Sequence, residues 1–123
     1  MNLNDIAKKL DAAAASAKAT AQISTTESFT EEQAYEIQRL SLEERYTRGE
    51  KFAGLKLGFT SFAKMEQMGV HDMIWGRLTD AMWYKSGDEL PMDKFIHPRA
   101  EPEIAFLLKK DLDREISLEE IPE

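Results

Sequence analysis

The stretch Phe52-Ala53-Gly54-Leu55-Lys56-Leu57-Gly58-Phe59-Thr60 decides the fold class. Ala53, Leu55, Leu57 and Phe59 share one face of an extended chain, and Gly54, Lys56, Gly58 and Thr60 share the other. That period of two predicts a β-strand whose odd face is apolar core. Its even face carries one lysine with a glycine two residues away on each side. Glycine weakens a strand and has no side chain to pack, so such a face marks close approach by a ligand or another backbone. A lysine there sets a point charge against a carboxylate or an enolate. An edge strand also uses lysine to deter pairing, but that purpose does not call for the glycines.

Thr60-Ser61 then offers an N-cap for a short helix through Met68, closed by Gly69. Phe62, Met65 and Met68 follow helical spacing and read as core. The free N–H groups at the helix start favour an anion, so Thr60 and Ser61 with Lys56 make a carboxylate-binding corner. Upstream, Asn4 or Asp5 caps a helix running to about Lys18, with Ile6, Leu10, Ala13 and Ala14 as its apolar stripe. Thr20 to Phe29 is a Ser/Thr-rich connection. Thr30-Glu31-Glu32-Gln33 has the form of a capping box. It opens a second helix with Ala34, Ile37 and Leu40 on one face, Tyr35, Leu42 and Tyr46 beside it, and Gly49 to end it. Glu43, Glu44, Arg45 and Arg48 read as its solvated face. The two helices form a packing layer without chemistry. Residues 1–50 are thus a helical segment and residues 51–123 a β segment, an α+β order.

Downstream, Asp72 to Tyr84 is rich in large apolar residues and reads as strand plus loop. Ser86-Gly87-Asp88 signals a turn and Pro91 starts another. Asp80 is a single acid in an apolar neighbourhood and a candidate site residue. His71 and His97 have no partner at metal-ligand spacing and read as polar packing residues. The run His97 to Leu108 reads as a further strand, which would turn Glu101 and Glu103 to the same face, roughly 7 Å apart at the backbone. Two such carboxylates repel unless they lie in water or share a cation, and Mg²⁺ and Mn²⁺ prefer carboxylate oxygens. Lys109 to Glu115 is a charged surface turn, and Ser117-Leu118-Glu119-Glu120 begins a helix with Ser117 as cap.

The 123 residues amount to one domain, short for a two-layer enzyme with a deep pocket. Sixteen basic and 23 acidic side chains give a net charge of −7, which argues against nucleic acid or an anionic membrane as partner. The absence of cysteine excludes disulfides, thiolate zinc sites and thiol nucleophiles. The run Ala12 to Ala15 is too weakly apolar for a signal segment, and no stretch has the length of a membrane span, so a cytoplasmic protein is expected.

Three blocks carry a family resemblance: Gly54-Leu55-Lys56-Leu57-Gly58-Phe59-Thr60-Ser61, then Gln67-Met68-Gly69-Val70, and Ile96-His97-Pro98-Arg99-Ala100-Glu101-Pro102-Glu103-Ile104-Ala105-Phe106. In their order and spacing they resemble the hydratase/decarboxylase branch of the fumarylacetoacetate hydrolase superfamily. The resemblance runs from Thr30 to Leu112 and matches the N-terminal half of such proteins. It implies a helix pair packed on the first part of a mixed β-sheet or β-roll of that type, in truncated form. It also implies that Glu101 and Glu103 hold Mg²⁺ or Mn²⁺, that Lys56 and Asp80 are catalytic, and that the third carboxylate ligand lies beyond position 123. The implied activity is a lyase of aromatic meta-cleavage catabolism, decarboxylating 4-oxalocrotonate (2-oxo-3-hexenedioate) to 2-oxopent-4-enoate through a metal-stabilised dienolate. A 2-oxopent-4-enoate hydratase is the alternative, and a non-catalytic assembly module is a third. Implied partners are the 2-oxo acid substrate, further copies of the chain, and a companion hydratase or decarboxylase.

Overall fold

A computed structural model describes residues 2–121. Glu123 lies outside the described residues. The element order is α1 (Leu3–Ala15), α2 (Glu31–Thr47), β1 (Phe52–Gly58), α3 (Phe62–Met68) and β2 (Ile74–Thr79), an α+β arrangement. Short 3₁₀ turns lie at Ile23–Thr25, Asp80–Met82, Met92–Lys94 and Leu118–Glu120. Among the described residues no helix is long and apolar enough to cross a membrane.

Both long helices end where local chemistry stops them. Asn2, ahead of the expected Asn4 or Asp5, caps α1, its side-chain oxygen accepting from the Asn4 N–H at 3.0 Å. The helix closes at Ala15, short of Lys18, because the Ser16 hydroxyl donates to the Ala12 carbonyl at 2.7 Å and Ala17 turns left-handed at φ 50°. The Ala17 and Lys18 N–H groups then bond back to the Ala14 and Ala13 carbonyls, a Schellman closure. The expected capping box opens α2: the Thr30 hydroxyl accepts from the Gln33 N–H at 3.3 Å, and the Gln33 side chain accepts from the Thr30 N–H at 2.9 Å. Gly49, at φ 96°, ends it as expected. Thr30→Ala removes half of that box and is expected to lower stability by about 1 kcal/mol in urea unfolding.

The core is small: among the described residues the buried apolar side chains are Ala7 of α1 and Ile37 and Leu42 of α2. A polar network that the sequence did not announce lies beside it. Asp11 is buried and takes both terminal nitrogens of Arg48, at 2.6 and 2.7 Å. Arg45 pairs with Glu50 at 3.0 Å, and Glu50 accepts from the Thr79 hydroxyl at 2.5 Å. Arg45 and Arg48, expected to be solvated, therefore tie α1, α2 and the end of β2 together. Their charge is used because Asp11 faces inward and needs a cation.

β1 and β2 form an antiparallel pair in which Leu55 faces Arg77, Lys56 faces Gly76 and Leu57 faces Trp75, with a bulge between Phe52 and Gly54. The outer edge of β2 is covered by α2. Gln38 donates to the Trp75 carbonyl at 3.1 Å and accepts from the Arg77 N–H at 3.3 Å, and the Tyr35 ring stacks on Trp75 at 4.8 Å. Covering that edge satisfies backbone groups that would otherwise invite another strand.

Several expectations are corrected. Leu55 and Leu57 are exposed, as are Phe62 and Met68 of α3, so neither apolar stripe is core in this structure. The cause is architectural: α1 and α2 pack on each other, α2 covers one sheet edge, and no second layer lies over the face of the two-stranded sheet among the described residues. Residues 101–108 form no strand and pair with neither β1 nor β2. Ile104, Phe106 and Leu107 stand in solvent. His71 and His97 are also exposed, not packed, and His97 lies 3.5 Å from Arg99. The turns at Ser86-Gly87-Asp88 and after Pro91 are present, the Asp88 N–H bonding to the Lys85 carbonyl at 3.0 Å and the Lys94 N–H to the Pro91 carbonyl at 3.1 Å. The helix expected at Ser117 is a single 3₁₀ turn, closed by Glu120 accepting from the Ser117 N–H at 2.8 Å.

Candidate functional site

Lys56 rises from the middle of β1 over a floor of glycines. Gly54 and Gly58 share its face, and Gly76 lies directly opposite on β2. A Cβ added to Gly54 or Gly76 meets open space, whereas one added to Gly58 comes within 2.9 Å of the Ile74 side chain. A side chain at Gly58 would thus have to push the exposed Ile74 side chain aside, and Gly54 and Gly76 leave the space around the lysine open. Gly76 escaped the sequence reading, although a lone glycine between Trp75 and Arg77 was its available signal.

The Lys56 ammonium pairs with Glu103 and lies 3.5 Å from a Glu101 oxygen. Residues 47 positions apart thus converge, the three singled out from the sequence as lysine and paired acids. Lys56 and Glu103 are about half exposed, and Glu101 more so. The hydrogen bond to Glu103 raises the Lys56 pKa above its ordinary value, with the charges of Glu103 and Glu101 adding and desolvation opposing. Two carboxylates on one cationic centre show that this pair can share a positive charge. Their hard oxygens suit a divalent ion such as Mg²⁺, which is commonly held by one or two carboxylates together with water. Among the described residues no group of three or more acidic or imidazole side chains gathers to hold a metal. Glu101 and Glu103 together thus offer two carboxylates to a cation, and no third acidic or imidazole side chain joins them among the described residues.

The remaining candidates lie elsewhere. Asp80 accepts from the Lys51 N–H at 2.8 Å, and its own N–H donates to the Lys51 carbonyl at 2.9 Å. This reciprocal pair closes the far end of the hairpin, roughly 16 Å of strand rise from Lys56. Ser61 caps α3, its hydroxyl accepting from the Lys64 N–H at 3.3 Å, while Thr60 is exposed. Among the described residues the Lys56 ammonium pairs with the two glutamates and not with that helix start.

No family model matches the chain. It is 50% identical over 117 residues to a 4-oxalocrotonate decarboxylase of a Pseudomonas species, covering 95% of this chain and 46% of that protein. It is 52% identical over 82 residues to a 2-hydroxypent-2,4-dienoate hydratase of Pseudomonas putida, covering 66% of this chain and 37% of the hydratase. Among solved structures, it matches the 4-oxalocrotonate decarboxylase from Pseudomonas putida G7 complexed with calcium and acetate. That match has a TM-score of 0.60 and 32% identity over 64% of this chain and 31% of the decarboxylase. The same enzyme complexed with magnesium and adipate matches equally well, at a TM-score of 0.60. The chain spans less than half the length of these relatives. Over the part that it covers, it is a homologue of the 4-oxalocrotonate decarboxylases and 2-hydroxypentadienoate hydratases, which are lyases.

Proposed function

We propose that this chain carries part of the site of a divalent-cation-dependent lyase that decarboxylates 4-oxalocrotonate to 2-oxopent-4-enoate. The observation that carries the reading is the convergence of Lys56 on Glu101 and Glu103. The decarboxylase matched in structure is complexed with calcium and acetate or with magnesium and adipate, and adipate is a six-carbon dicarboxylate like 4-oxalocrotonate. In this proposal Glu101 and Glu103 hold Mg²⁺ or Mn²⁺. When bound, such a cation supplies Lewis acidity to the carboxylate and keto oxygens of a 2-oxo acid. Lys56 binds the negative charge that moves toward the keto oxygen as the bond to the leaving carboxylate breaks, and it moves the proton that the carbon chain takes up. Thr60 and Ser61, at the start of α3, face the substrate anion. Asp80 falls outside the reacting cluster and holds the hairpin that presents Lys56.

The finer architecture belongs to the same proposal. Residues 1–50 are the helical segment, and residues 51–123 begin a larger β-sheet or β-roll of the fumarylacetoacetate hydrolase type. Exposed Ile104, Phe106 and Leu107 suit burial against further β-structure, in a homo-oligomer or beside a companion hydratase in the cytoplasm. The hydratase reading has its own support in the 52% identity to a hydratase. Product analysis separates the two. In a full-length protein that carries this chain, Mg²⁺ and 4-oxalocrotonate are expected to yield CO₂ and 2-oxopent-4-enoate. Hydration of 2-oxopent-4-enoate with no CO₂ from 4-oxalocrotonate would shift the assignment to the hydratase, and no turnover of either would contradict a lyase.

A further inference from the structure

We infer that Lys56 is an internal counter-ion for Glu101 and Glu103 and leaves them when a divalent cation is loaded, so that cation binding frees the ammonium for the substrate anion. This rests on the proposed lyase site and deepens it. The oxygens that Lys56 engages, Oε1 of Glu103 and Oε2 of Glu101, belong to the two carboxylates that the cation needs. Two carboxylates and one ammonium leave a single negative charge. Adding a divalent ion without moving the lysine would set two cationic centres in contact over two acids, and at such separations like charges repel strongly. The lysine is the group able to move. Its flexible four-carbon stem stands half exposed, and added Cβ atoms at Gly54 and Gly76 would meet nothing within 4 Å. An exposed ion pair of this kind is weak, so a divalent ion can displace it. The freed ammonium stays at the site, beside the place where a 2-oxo acid would meet the cation.

The exchange is tested by titrating Mg²⁺ calorimetrically into the protein and into Lys56→Gln, with Lys64→Gln on α3 as a control that removes the same charge outside the pair. Lys56→Gln is expected to bind Mg²⁺ about two- to fivefold more tightly, the range set by the modest strength of exposed pairs, and Lys64→Gln to leave the affinity unchanged. In parallel, the side-chain ammonium resonance of Lys56 is expected to move with Mg²⁺ occupancy toward the position of solvated lysines. Equal affinity in the protein and Lys56→Gln, equal tightening by Lys64→Gln, or a Lys56 resonance that stays in place while Mg²⁺ binds would each overturn the exchange and leave the cation site standing. Absence of Mg²⁺ binding in all three proteins would overturn the cation site and the exchange together.

Discussion

Replacing Glu101 and Glu103 together by glutamine is expected to abolish divalent-cation binding and cation-dependent turnover without unfolding the protein. Glutamine keeps the length of each side chain and removes its charge. Mg²⁺ dehydrates reluctantly and needs anionic oxygens to hold it, so the double substitution removes both proposed ligands. Disturbing groups that merely support metal ligands costs roughly 10–100-fold in affinity, so losing the ligands themselves should exceed about 100-fold. Both side chains are well exposed, and exposed ion pairs add little to stability, so the urea midpoint should stay where it is. Retention of the original Mg²⁺ affinity by the double variant would remove these glutamates from the site.

The largest stability effect is expected far from the site. Arg48→Ala should lower the free energy of unfolding by about 2 kcal/mol, because it leaves the Asp11 carboxylate buried without its donors. Arg45 cannot replace them, since its nearest nitrogen stands 4.0 Å from Asp11 and it is already committed to Glu50. Arg48 is itself partly exposed, which keeps the effect below that of a fully buried pair. Adding Asp11→Ala to Arg48→Ala should recover part of the loss, since the unpaired charge is then gone. A change within experimental error in Arg48→Ala would show that the pair does not hold the helices together.

What could be read from the chain follows how local each signal is. The Thr30–Gln33 capping box, the glycine that ends α2 and the strand around Lys56 depend on neighbours within a few residues, and all three appear where expected. The Asp11–Arg48 pair joins residues 37 positions apart, and neither residue carries a pattern that names the other. For residues 97–108 the apolar spacing expresses a capacity for strand, whereas a strand also needs a partner that spacing does not supply. The exposed faces of β1 and α3 repeat that lesson: periodicity identifies an apolar face but not what covers it. Asp80, singled out from the sequence as a catalytic candidate, is seen here bonded to the Lys51 backbone, a contact that no local spacing announced. The candidate site was legible in pieces, as a glycine-flanked lysine and a Glu-x-Glu, which the structure brings into contact. Their meeting followed from no spacing rule and came only with the family resemblance.

The most direct test of the lysine–diglutamate site is paramagnetic broadening by Mn²⁺, followed amide by amide in the nuclear magnetic resonance spectrum at substoichiometric metal. The expected result is selective loss of signal at residues 54–58 and 100–104, two segments far apart in the chain, with the loss reversed by excess Mg²⁺. Broadening confined to other acidic stretches, such as Glu43–Glu44 or Asp111–Glu115, would contradict the assignment.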